Sequence, residues 1–261
     1  MHQLGFSANR RLSRPAYQDM NPFVWQVDPY NSERGNPYLR PAYTNTAELS
    51  YTYRAAAGIS ISYSRTDDLI NTIARQEGEQ AYVQPVNLSR QDNFSMNVNM
   101  PLPIKSWWEG YLWLGVWHNH FTSQLEQDPL DTRTFGGGCY VSQQFKLGRG
   151  YRVEGSVWAQ FPTSEGIFKN KGIASVSVGA KKTFFHDRAT LKIAVNDLFR
   201  TQRWSQSVDF GGLRASIRNT WESQNVALGF TWNFGNQNLK TRNRNNGGAG
   251  DLEARIKARK E

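Results

Sequence analysis

The 261 residues predict an all-β chain, an antiparallel transmembrane β-barrel segment of about ten strands, on three observations. Segment after segment alternates apolar with small or polar residues, the period of a strand with one apolar side. Short turns and long polar connections take turns along the chain, as periplasmic turns and outer loops do in a barrel. The last alternating segment puts Val226, Leu228, Phe230, Trp232 and Phe234 on one face, opposite Ala227, Gly229, Thr231 and Asn233. It thus ends in rings suited to a membrane–water boundary. No apolar run reaches the ~20 residues of a membrane helix. The mean hydropathy of −0.65 is compatible with a barrel, whose strands keep half their side chains in a polar lumen.

The first strand covers about 2–10, with Leu4, Phe6 and Ala8 in alternation. The second, about 43–55, turns Ala47, Leu49, Tyr51 and Tyr53 one way and Thr46, Glu48, Ser50 and Thr52 the other. Ala55 to Gly58 make a tight turn into the third strand, led by Ile59, Ile61 and Tyr63. Phe94, Met96, Val98 and Met100 mark the fourth, which Pro101 and Pro103 are expected to stop, because proline cannot donate to a ladder. The fifth, 108–123, is aromatic on one side (Tyr111, Trp113, Trp117, Phe121) and aliphatic on the other (Leu112, Leu114, Val116), so its lipid face is left open.

Phe135, Cys139, Val141 and Phe145 define the sixth strand, and Tyr151, Val153, Val157, Ala159 and Phe161 the seventh. Ala174, Val176, Val178 and Ala180 give the eighth, Leu191, Ile193 and Val195 the ninth, and the tenth ends at Phe234. Short turns are expected at 55–58, 101–107, 147–150 and 186–188, and long irregular connections at about 11–42, 76–92, 124–133, 162–172 and 200–214. A ten-strand sheet with free edges is not viable in lipid. The strands therefore close on themselves or belong to a larger barrel.

An aromatic content of 13% supplies material for two girdles. The net charge of +9 includes +4 from the tail, which holds seven Lys/Arg and three acids after Phe234. The remaining charge forms no stripe, so no nucleic-acid partner is expected. Residues 235–261 read as a basic, disordered periplasmic tail beside a barrel segment at 1–234. Cys139, the only cysteine, reads as a small apolar strand residue. The opening residues already form a strand and carry no signal-peptide pattern, so the chain is expected to be a fragment.

Three stretches resemble the C-terminal part of TonB-dependent receptors of the outer membrane protein beta-barrel family. They are Arg14-Pro-Ala-Tyr-Gln-Asp-Met-Asn-Pro-Phe with Gly35-Asn-Pro-Tyr-Leu-Arg-Pro-Ala, then Val195-Asn-Asp-Leu-Phe-Arg-Thr, then Phe230-Thr-Trp-Asn-Phe-Gly235. Ala42 and Arg200 stand where an acidic residue and an asparagine are common in that family. The resemblance implies a 22-strand barrel in the cell outer membrane, of which this chain would be the final part. Its partners would be outer-membrane lipid, the rest of the barrel and a plug domain. The TonB complex would be reached only through an N-terminal part outside this sequence. The implied function is solute uptake. A self-contained small barrel with a structural or adhesive role is the alternative, and a soluble all-β binding module a third reading.

No enzyme is expected. A barrel protease needs paired carboxylates and an Asp–His couple, yet Asp67 and Asp68 are adjacent and point to opposite faces of a strand. The His-x-Ser pair of a barrel phospholipase is missing as well. His118 and His120 share one face and are weak candidates for a metal, with polar residues near the outer end of the strand as the plainer reading. No cofactor is expected. Ligand contact is placed on the outer loops, at Arg14, Trp25, Tyr30, Arg34 and Trp204, where arginine and rings can hold anionic or ring-bearing cargo. The competing reading is that these residues only pack the loops and position strands.

Overall fold

The computed structural model describes residues 2–54, 56–124, 129–186, 188–210 and 213–234. The expected tail at 235–261 lies outside these residues. In chain order the strands are β1 (His2–Ser13), β2 (Val24–Gln26), β3 (Asn31–Arg34), β4 (Ala42–Tyr53), β5 (Ala57–Glu77), β6 (Gln80–Lys105), β7 (Trp108–Ser123) and β8 (Leu130–Gly148). They continue as β9 (Tyr151–Gln160), β10 (Thr163–Glu165), β11 (Phe168–Asn170), β12 (Ile173–Phe184), β13 (Ala189–Asn196), β14 (Arg203–Phe210), β15 (Leu213–Thr220) and β16 (Asn225–Trp232). One helical turn, α1 (Tyr17–Met20), separates β1 from β2.

The ten expected strands are one antiparallel path, β1-β4-β5-β6-β7-β8-β9-β12-β13-β16. β1 pairs only with β4 and β16 only with β13, so the sheet is a partial barrel that does not close among the described residues. Every residue of β1 and β16 is exposed.

Register decides which way each face points. Along β4, Tyr43, Leu49, Tyr51 and Tyr53 are exposed, while Thr44, Thr46, Glu48 and Ser50 are half-buried. The apolar side is therefore the outer one, the reverse of a soluble protein and the arrangement that lipid requires. That side continues through cross-strand pairs: Phe6 with Leu49, Ile61 with Met96, Val98 with Leu114, Leu114 with Cys139, Val141 with Val157, Val157 with Val176, Ala180 with Ile193, and Ile193 with Leu228. The open question at β7 is thereby resolved. Leu112, Leu114 and Val116 face lipid, and Tyr111, Trp113 and Trp117 face the interior beside Asn97 and Gly136.

Two aromatic belts bound this face. At the short-turn end Trp107, Trp108 and Phe145 pack together, as do Phe184, Phe185 and Trp232. Cations lean on that belt: the ammonium of Lys182 lies 3.4 Å from the Tyr151 ring centroid and that of Lys105 lies 5.6 Å from that of Trp107. At the other end Tyr63, Phe94, His118 and Phe135 stand in register across four strands. Trp108 and His118 are ten positions apart on β7. At ~3.3 Å per residue and a tilt of ~40° that separation is about 25 Å, the height of a barrel's apolar band.

Beyond the second belt the wall rises clear of the bilayer, and here the expected loops need correcting. Residues 76–92 are no irregular connection. β5 and β6 run on as a hairpin to a two-residue turn at Gly78 (φ +62°) and Glu79. Pro101 and Pro103 do not stop β6, which continues to Lys105. Gly58–Asn99 is its last pair with β5, so the prolines fall where β6 is bonded only to β7 and a missing N–H leaves no gap in a second ladder. The connections 162–172 and 200–214 contain β10, β11 and β14, which with β15 form a separate four-stranded sheet. Ile73, Leu88, Phe121, Leu130, Ile167 and Val208 bury one another between that sheet and the tall hairpin. The water-excluding core therefore lies outside the membrane, where apolar burial is still driven by water.

Candidate functional site

Several basic and aromatic residues of the outer connections line two open cavities. The first, about 610 Å³, is framed by β14, β15 and the segments flanking them. Arg203 and Trp204 open β14 and pair with Thr220 and Asn219 near the end of β15, whose Arg218 faces Ser205. Lys171 and Arg200 close one side, and Trp221 supplies a second indole. Arg200 lies 3.3 Å from Glu222, so that cation is partly neutralised, while Arg203, Arg218 and Lys171 also line the cavity. Such a pocket offers N–H forks and two ring faces at once.

This cavity is held by one buried carboxylate. Asp197 follows the end of β13 in the outer connection and has no exposed surface. It accepts hydrogen bonds from the Ser223 hydroxyl at 2.5 Å, the Thr201 backbone N–H at 2.9 Å and the Gln202 backbone N–H at 3.1 Å. Burial pushes its carboxyl up, but these donors outweigh burial and bring it down to about 2. Asp197 and Arg200 both have positive φ (45° and 52°), so the connection is a tight backbone form that the Asp197 side chain replaces with its own hydrogen bonds. The Val-Asn-Asp-Leu-Phe stretch thus carries a clamp that ties the exit of β13 to the entry of β16.

The second cavity, about 440 Å³, brings Trp25 and Arg34 together with Phe23 and Glu33 against Thr72 and Pro85 of the tall hairpin. Arg34 is already engaged. Its guanidinium lies 3.9 Å from the Tyr82 ring centroid and 3.3 Å from Glu77. Trp25 is 72% exposed, and no ring or cation among the described residues packs on it, so its indole is open to solvent.

Arg14 and Tyr30 enter neither cavity. Arg14 lies on the exposed segment after β1. Tyr30 lies in a turn whose backbone is held by Asp28, which accepts from the Tyr30 and Asn31 N–H groups at 2.8 Å each. The side chain of Asn31, then those backbone donors, lower the Asp28 carboxyl below its ordinary range. Nearby, the Asn87 side chain binds both the N–H and C=O of Arg40, and Arg40 pairs with Asp68 at 2.5 Å. The first and longest connection is therefore stitched to β5 and β6.

His118 and His120 share the outer face, as their spacing predicts, but they have different partners. The His118 ring is 4.8 Å from that of Phe135 in the outer belt, and His120 lies 2.9 Å from Asp131. Asp197 and Arg218 are the residues that sequence reasoning overlooked. The signal for the first was a lone acid inside a family-like motif, whereas nothing in the sequence places Arg218 opposite Ser205.

The sequence matches the family described as "Outer membrane protein beta-barrel family" over residues 1–232. No curated protein matches the chain. Among solved structures, two mutants of the ferric enterobactin receptor of Pseudomonas aeruginosa, one in complex with enterobactin, align with a TM-score of 0.53 at 13% identity. The alignment covers 77% of this chain and 33% of the receptor, so this chain spans about a third of that protein's length. A third mutant of that receptor, also with enterobactin, aligns equally well at 12% identity. At such identity the likeness is one of fold.

Proposed function

Since this chain belongs to the outer membrane protein beta-barrel family, we propose that it forms part of the wall of a TonB-dependent-receptor-like transporter taking a solute across the outer membrane. One observation carries the reading. A ten-strand sheet, apolar outside and polar inside, stands open at both edges, so it encloses a lumen only together with further wall. In this reading β1 and β16 meet further strands, a plug fills the lumen, and the TonB complex couples plug movement to the inner-membrane gradient. The outer cavities make first contact with solute through Trp204, Arg203 and Trp25, while Arg34 and Tyr30 hold their loops in place.

Depletion of solutes from a defined medium tests this proposal. Cells carrying the intact protein should remove at least one solute faster than cells lacking it, and an uncoupler should abolish the difference. Identical media from both strains, or uptake indifferent to the uncoupler, would refute energised transport.

A further inference from the structure

The run Phe135-Gly-Gly-Gly-Cys139 serves neither outer cavity, and Gly136 and Gly138 lie against two indoles. Gly136 is the cross-strand partner of Trp117, and Gly138 that of Gly115, all on the inner face of the wall. A Cβ on Gly136 would stand 2.5 Å from Trp117 Nε1, and one on Gly115 would stand 2.7 Å from Trp113 Cζ2. A Cβ on Gly138 would meet the same Trp113 ring at 3.5 Å. Trp117 against Gly136 and Trp113 against Gly115 thus approach bare backbone more closely than any side chain there would allow. Trp117 also lines a cavity on this inner face.

Above Trp117 the wall opens into a cavity of about 420 Å³. Its polar lining includes neutral amides (Gln91, Asn119, Gln160) and hydroxyls (Thr72, Thr163), with Glu165 the one charged side chain among the described residues that line it. Asn119 Oδ1 accepts from Gln91 Nε2 at 3.1 Å and from Asn93 Nδ2 at 2.6 Å, leaving the Gln91 and Asn93 carbonyls as acceptors. An anionic solute would find no counter-charge here and one carboxylate to repel it. A flat ring face beside groups that both donate and accept suits a different chemistry. A pyranose has a C–H face that packs on an indole and a rim of hydroxyls that match amides.

We propose that Trp117, backed by Gly136, and the adjoining amide cavity form a lumenal subsite for an uncharged saccharide. The proposal rests on the transport reading and names the class of solute.

The test is a titration of the intact protein in a sugar-free amine-oxide detergent, followed by tryptophan emission and calorimetry. The probes are neutral gluco-, manno-, galacto- and xylo-hexasaccharides, with oligogalacturonate as the anionic control. At least one neutral probe should saturate, and Trp117→Ala should weaken it by about tenfold or more. Gln160→Leu removes an exposed amide without touching the ring pad, and should weaken the same probe by about threefold or more at unchanged thermal stability. The proposal fails if no neutral probe binds at about 10 mM, if oligogalacturonate binds more tightly, or if both variants bind as the parent does. Saccharide binding without energised uptake would sink the transport reading alone. Energised uptake without saccharide binding would sink only this subsite.

Discussion

Replacing Leu114 by arginine tests the orientation of the whole wall. Leu114 lies on β7 between the belts marked by Trp108 and His118, flanked in register by Val98 and Cys139. It is four positions below His118 and six above Trp108, hence close to the bilayer midplane. An arginine on the lipid face at that depth costs about 2–4 kcal/mol, a factor of about 30 to 700 in the folding equilibrium. Asn97, on the neighbouring strand and paired with Gly115, is at nearly the same height but faces inward among Ser60, Ser62 and Ser95. Arginine there should cost under about 1 kcal/mol, because a lumen position keeps its charge hydrated. Urea unfolding of the intact protein from phospholipid vesicles, followed by tryptophan emission, compares Leu114→Arg with Asn97→Arg. Equal losses, or a larger loss at Asn97, would show that the faces of β7 are reversed and that Trp113 and Trp117 meet lipid.

Three more outcomes follow from particular contacts. Asp197 has its carboxyl brought from 3.8 down to about 2, so its clamp is complete above pH 3.8 and weakens as pH falls through about 2. Hydrogen exchange of residues 197–224 should accelerate over that window, and Asp197→Asn should flatten the pH dependence while leaving β13 protected. Phe121→Ala opens a cavity in a core that is 1% exposed at that residue, and should destabilise the outer hairpins by about 3–5 kcal/mol. Limited proteolysis should then cut the tall hairpin while the strands within the bilayer stay intact; simultaneous loss of both would contradict a core that lies outside the membrane. Cysteines at Phe6 and Leu228, in a Cys139→Ser background, should form no intrachain disulfide in the intact protein, because β1 and β16 face open edges. Efficient crosslinking would establish a closed ten-strand barrel instead.

Much of the wall was legible in the chain itself. Alternation at Leu49, Tyr51 and Tyr53 or at Leu191, Ile193 and Val195 needs only the two-residue period of a strand, and ten such segments were located correctly. Reading residues 76–92 as a loop failed because Gly78, Pro85 and the amides around them look like a connection. The segment in fact pairs with the adjacent arm of its own hairpin, and β3 adds on to β6 in parallel from about fifty residues upstream. Trp25 and Trp204 were picked out as exposed rings near arginines, but that Arg34 is occupied by Tyr82 and Glu77 depends on how the hairpin folds back.

What the sequence determined by itself is that each strand has two unlike faces, that ten of them follow one another, and that their turns sort by length. A period says nothing of sign. On β7 both faces are apolar, and only the cross-strand register, Val98 with Leu114 and Leu114 with Cys139, assigns one to lipid and the other to the lumen. The clamp of Asp197 on Ser223 and the resting of Trp117 on Gly136 belong to the tertiary structure for the same reason. Each joins residues far apart in the chain, and such contacts exist only once the sheet has chosen its register.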